Sequence, residues 1–282
     1  MTHILPPLLR LLRFELPFTA GVCAVLGGIL TAGTLPGGRE MALGFLAIFC
    51  VSAAALILND VFDVETDRIN APGRPIPSGS VTVRQAVGLF AVVSGAGLAA
   101  GATLGTAAAL SLVLLWSVGV FYNWRGKRYG VAGNLMVSFS VGMTFVFGGI
   151  VVGRPASIFA WWFGGIAMLM NLGEEIAADA MDVEGDRIMG SRSLAVVYGP
   201  ERALRVSALI FVAMALFSLV PFFTGLLPPV YLLPIAIMDA VTTYCAMRLL
   251  NPGSANPRVL IRVIYLSGLV AVLIFIGLRL IL

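Results

Sequence analysis

Long apolar stretches, each close to the length of a membrane helix, recur along the chain between short breaks rich in proline, glycine or charge. A bilayer core about 30 Å thick takes about 20 residues of α-helix. The pattern therefore predicts spans at about 16–34, 42–60, 84–102, 104–122, 131–151, 157–179, 203–221, 228–249 and 260–281. The stretches run too long and alternate too little for a transmembrane barrel. Breaks at Thr34 to Glu40, Ala71 to Ser80, Arg125 to Tyr129, Gly153 to Pro155, Pro228 to Pro229 and Asn251 to Pro257 mark most turns, and the junction of the third and fourth spans is the least marked. Pro17, Pro221 and Pro234 are candidate kinks. The expectation is an all-α bundle of nine transmembrane helices, one domain over 1–282.

Composition strengthens this picture: 59% of residues are hydrophobic, 11% are charged, and the mean hydropathy is +1.00. A soluble domain needs a far more polar surface. The net charge of +4 comes from dispersed arginines without a basic amphipathic segment, so nucleic acid is not an expected partner. Cys23, Cys50 and Cys245 stand singly in apolar runs and are expected to be small buried hydrophobes. The first span, after Arg10 and Arg13, lacks a small-residue cleavage pattern and is expected to be a retained helix.

Lys and Arg positions give an orientation. With a cytoplasmic N-terminus, all 18 fall on that side except Arg39, Arg154 and Arg279. The C-terminus then lies opposite, in a multi-pass cell-membrane protein, and both acidic clusters face the cytoplasm.

Those clusters carry the chemistry. Of 14 acidic residues, most lie between Asp60 and Asp67 or between Glu174 and Asp186. The first segment, 59–69, reads Asn-Asp-Val-Phe-Asp-Val-Glu-Thr-Asp-Arg-Ile; the second, 179–188, reads Asp-Ala-Met-Asp-Val-Glu-Gly-Asp-Arg-Ile. Asp60, Asp63 and Asp67 thus share their spacing with Asp179, Asp182 and Asp186, a pseudo-repeat whose halves carry motifs at 59–68 and 175–187. This spacing puts each triad on one side of a helix, facing a shared cavity. Carboxylates near lipid depth are costly unless paired or metal-bound. Magnesium bridging carboxylates and phosphate oxygens is the economical solution. Calcium lacks a loop of alternating ligands, and zinc lacks ligands because His3 is the only histidine.

The implied substrate is an anion such as a diphosphate, with Arg68, Arg74, Lys127, Arg128 and Arg192 as candidate cations. Tyr122 and Asn123, ending the fourth span, are placed to donate hydrogen bonds, and Glu175, one turn before Asp179, to orient substrate or metal. Glu65 and Glu184 lie off the principal face. Asp239, alone in the eighth span, is either a polar helix contact or a cavity residue.

At these residues the chain resembles the UbiA superfamily of intramembrane prenyltransferases. Asn59, Asp60, Asp63 and Asp67 match its first motif, and Asp179, Asp182 and Asp186 its second. The run Arg-Ile-Asn-Ala-Pro-Gly-Arg at 68–74, and Tyr-Asn-Trp-Arg-Gly-Lys-Arg at 122–128 with Gly-Asn-Leu at 133–135, resemble its cytoplasmic segments. The resemblance implies a bundle around a central lipid-open cavity under cytoplasmic cap loops. It further implies that a prenyl diphosphate held through Mg²⁺ ionises and a lipid-like acceptor attacks the allylic cation. Asn59, Asp60, Asp63, Lys127, Asp179 and Asp182 are the catalytic residues this implies, with membrane lipids around the bundle and no obligate protein partner.

The segments 127–149 and 175–186 look most like the archaeal branch that makes the second ether bond of membrane lipids. This implies transfer of a geranylgeranyl or similar prenyl group to geranylgeranylglyceryl phosphate. Members of that branch commonly carry Arg before the Glu and Lys before the first Asp, where this chain has Glu174 and Ala178. An aromatic quinone precursor, a chlorin-type acceptor and terpene cyclisation are the alternatives, and a lipid transporter or scaffold is the non-enzymatic one.

Overall fold

The structure, a computed structural model, describes residues 6–188, 190–250 and 256–281. His3 and most of the expected break between Asn251 and Pro257 lie outside the described residues. The fold is all-α: α1 (Pro7–Arg10), α2 (Glu15–Ala32), α3 (Gly38–Phe62), α4 (Val64–Asn70), α5 (Val83–Thr103), α6 (Thr106–Trp124), α7 (Val131–Val151), α8 (Ile158–Met181), α9 (Val183–Ile188), α10 (Leu194–Tyr198), α11 (Pro200–Phe223), α12 (Leu232–Leu249) and α13 (Pro257–Ile281).

Among the described residues, 8 helices are long and apolar enough to cross a membrane: α2, α3, α5, α6, α7, α11, α12 with the 3₁₀ turn before it, and α13. The chain is a multi-pass membrane protein. The expected span at 157–179 forms α8, 24 residues long, but Asn171, Glu174 and Glu175 lower its hydropathy and it is not among the 8. Pro17 and Pro234 fall in the first turns of α2 and α12, where no intrahelical N–H is lost, so neither has cause to kink its helix. Pro221 lies inside the last turn of α11.

The chain forms two compact units, Met1–Gly126 with Met143–Ala160, and Lys127–Gly142 with Trp161–Leu282. The first carries the motif at 59–68 and the second that at 175–187. In the first unit α3 is central, packing against α2, α5 and α6. There α2 meets the end of α7 backbone to backbone: a Cβ on Gly27 would run into the Phe145 carbonyl, and one on Gly148 into that of Ala24. Small residues permit this approach in a membrane, where apolar packing must come from close contact. A capping box of Thr82 and Gln85 starts α5 and fixes where the preceding loop ends. In the second unit α12 packs between α11 and α13. Ser207 on α11 donates to the Gly173 carbonyl on α8, and Gly173 lies against the Phe211 ring.

Candidate active site

Neither acidic motif lies on one continuous helix, as the spacing had suggested. Each bends at its middle Asp: α3 ends at Phe62 and α4 begins at Val64, with Asp63 between; α8 ends at Met181 and α9 begins at Val183, with Asp182 between. Backbone bonds stop at each break: the Asp63 N–H donates to the Asn59 carbonyl at 2.9 Å and closes α3, and the Asp186 N–H donates to that of Asp182 at 3.0 Å and opens α9. In the first motif the outer Asp residues still share a side, since Arg74 reaches both Asp60 and Asp67.

In the first motif Asp60 is 3% and Asp67 5% exposed, and arginines neutralise both. Arg13 donates to Asp60 Oδ1 at 2.5 Å. Arg74 donates to Asp67 Oδ2 at 2.5 Å and stands 3.7 Å from Asp60. The loop carrying Arg74 is held because Ile76 and Val81 bury themselves with Leu11, Ile57 and Ala86. The Asn59 amide donates to Asp63 Oδ2 at 2.8 Å. Arg68 pairs instead with Glu65 on the exposed side of α4. Asn123 is buried and spends its amide N–H groups on the Ala55 and Gly119 carbonyls, tying α6 to α3.

In the second motif the partners are neutral. Asn134 donates to Asp179 Oδ2 at 2.8 Å, and the Ser193 hydroxyl bonds Asp186. Burial pushes the Asp186 carboxyl above its ordinary value; the Ser193 bond opposes this, and the Asp182 charge adds to it. Asp186 Oδ2 is buried without a partner. Within this unit no Lys or Arg among the described residues forms an ion pair with Asp179, Asp182 or Asp186.

Loops then tuck back under the motif. Leu172 and Ile176 of α8 bury with Ala195 and Ala203, which sets Ser193 beside α9. Gly130, at φ +56, faces the Arg192 carbonyl so closely that no Cβ fits, and Arg192 N–H donates to the Arg128 carbonyl at 3.3 Å. Arg128 and Arg192 thus lie on adjoining backbone in the same unit as the second motif, both exposed. Lys127 begins that stretch and Tyr122 precedes it.

A carboxylate triad with neutral donors and an unspent buried oxygen suits a hard divalent cation that takes oxygen ligands and retains water. Among the described residues no three acidic, His or Cys side chains stand as a preformed cluster.

The UbiA prenyltransferase family model matches residues 20–279. The chain belongs to that family. It is an enzyme of prenyl transfer. The digeranylgeranylglyceryl phosphate synthase of Methanopyrus kandleri is 36% identical over 92% of this chain and 93% of its own length. That of Halobacterium salinarum is 34% identical over 90% and 92%. A solved structure concerned with digeranylgeranylglyceryl phosphate synthase in membranes superposes with a TM-score of 0.83 at 27% identity, covering 98% of both chains. A UbiA homolog from Archaeoglobus fulgidus, bound to GPP and Mg²⁺, shares the fold at a TM-score of 0.71 and 18% identity.

Sequence reasoning missed three partners in this UbiA chain. In the sequence Arg13 reads only as a charge flanking the first span, although it holds Asp60 and has the one positive φ outside glycine among the described residues, 43°. Asn134, an amide within an apolar helix, was the available signal for the Asp179 contact. Ser193 carried no signal except its place after the motif.

Proposed function

We propose that the whole chain works as one catalytic domain that moves a geranylgeranyl or similar prenyl group from its diphosphate to geranylgeranylglyceryl phosphate, forming an ether lipid and releasing diphosphate. The observation that carries this reading is the near full-length match to synthases of that name. The frame proposed has nine spans, α8 included, with a lipid-open cavity under cytoplasmic cap loops. The N-terminus is cytoplasmic and the C-terminus opposite.

Asp60, Asp63 and Asp67, and Asp179, Asp182 and Asp186, are the residues that would hold magnesium. Bound there, magnesium supplies positive charge that stabilises the departing diphosphate. Asn59 orients Asp63 through its amide. Arg74, with Arg13, has guanidinium groups that suit bidentate phosphate contacts once the donor arrives. Lys127, Arg128, Arg192 and Arg68 add charge, Tyr122 adds a hydroxyl donor, Asn123 fixes the helix end that carries Tyr122, and Glu175 orients the substrates. Apolar helix walls keep the prenyl tail out of water and protect the allylic cation from hydrolysis.

The test is a magnesium-dependent assay of the purified enzyme with geranylgeranyl diphosphate. Its arms contain geranylgeranylglyceryl phosphate, an aromatic acceptor, or no acceptor, with products identified by mass. A diether phosphate only in the first arm is expected. An aromatic adduct, or a cyclic hydrocarbon without acceptor, would move the chain to another branch of its family.

A further inference from the structure

Beneath the second motif lies a polar network that metal binding does not account for. Glu174 Oε2 accepts from the Tyr265 hydroxyl on α13 and from the Asn171 amide, the latter at 3.3 Å. The same Asn171 amide stands 3.1 Å from the Tyr265 hydroxyl, and Asn171 Oδ1 accepts from Ser138 at 3.1 Å. Ser138 also reaches the backbone carbonyl of Asn134, whose side chain holds Asp179. The network thus joins α7, α8 and α13 and ends at the metal motif.

Two features set Glu174 apart from a structural carboxylate. Its Oε1 accepts from no described residue and is not sealed inside the protein. A glutamine would satisfy Tyr265 as well and would avoid the cost of a carboxylate in an apolar helix. Its depth also fits: Glu174 lies five residues before Asp179, about 7.5 Å back along α8 toward its apolar end. The donor diphosphate proposed at Asp179 is tied to Glu174 through the hydrogen bonds of Asn134, Ser138 and Asn171.

We propose that Glu174, held by Tyr265 and Asn171, receives the proton of the acceptor hydroxyl through its open Oε1. This rests on the ether-forming reading above. The donor's C1–O bond breaks, its electron pair leaving on diphosphate. The acceptor oxygen supplies the pair for the new C–O bond, its proton passes to Glu174 and later to water, and no other reactant is needed. Tyr265 and Asn171 are positioning residues that leave one carboxylate oxygen free.

The experiment compares Glu174→Gln with the unaltered enzyme in magnesium, geranylgeranyl diphosphate and geranylgeranylglyceryl phosphate, counting diphosphate released and ether formed. A positioned proton acceptor contributes about 10²–10⁴-fold. The expected result is a kcat for ether about a hundredfold lower, with an unshifted thermal midpoint. The ratio of diphosphate to ether should rise above one, because ionised donor is captured by water. Tyr265→Phe should raise the same ratio more weakly. Unchanged ether formation, or an equal fall in both products with the ratio still at one, overturns the proposal. Absence of ether from the unaltered enzyme would instead strike the functional reading, which keeps the two failures apart.

Discussion

The two acidic motifs share a scaffold and differ in charge. Each bends at its middle Asp, and each is followed by a loop whose apolar residues pack back onto the preceding helix. Seven residues beyond the third Asp of each stands the side chain that meets it: Arg74 for Asp67, Ser193 for Asp186. The repeat therefore fixes a place for a partner and leaves its chemistry open. In the first motif that place holds a guanidinium, and Arg13 adds another. In the second it holds a hydroxyl, and Asp186 Oδ2 stays unspent. The first motif is neutralised by its own arginines, whereas the second has an amide and a hydroxyl for partners within its unit.

The largest expected effect tests this difference directly. Asp60→Asn and Asp186→Asn should each lower turnover by at least roughly 10²–10³-fold, the scale of losing one transition-state electrostatic contact. They should differ without donor. Magnesium at a hundred times its dissociation constant stabilises a folded protein by about 2.7 kcal/mol. That rise in thermal midpoint should persist in Asp60→Asn and vanish in Asp186→Asn. Equal loss in both variants would end the asymmetry.

Exchanging the partner gives a smaller effect. Ser193→Arg would place the first motif's cation beside Asp186. Two unit charges about 4 Å apart interact by about 1–4 kcal/mol in surroundings from water to protein surface. Magnesium affinity of the donor-free enzyme should therefore fall about tenfold or more. A titration followed by thermal midpoint reads this, and unchanged affinity would mean that Ser193 does not set the charge at this motif.

How much of this was legible beforehand follows from what each residue's signal depended on. Span positions rest on apolar length, so α3, α5, α7 and α13 fall near their expected bounds. The Asp triads rest on spacing and were readable for the same reason. The bends at Asp63 and Asp182 were not, because a three-and-four spacing fits a straight helix as well as a bent one. Arg13 to Asp60 spans 47 positions and Asn134 to Asp179 spans 45, and no local pattern reports a contact at such range. Glu174 was visible as a departure from the branch pattern, but its bond to Tyr265, 91 positions away, required the fold.

The smallest effect concerns Arg68, which the motif spacing makes the equal of Arg187 and the placement of charge makes a candidate for the diphosphate. In the structure it turns away, pairing with Glu65 at 2.9 Å, their side chains 60% and 82% exposed. Such a pair contributes about 0.2–1 kcal/mol, and the i,i+3 helical geometry favours the low end. Arg68→Gln should then shift the thermal midpoint by little and leave the magnesium-dependent rise intact. Any role in catalysis must come from leaving Glu65 for the donor phosphates, and this is separable from stability. A raised KM for geranylgeranyl diphosphate with an unmoved midpoint would place Arg68 on the donor. An unmoved KM would confine it to the exposed side of α4 and leave Arg74 and Arg13 as the first motif's working cations.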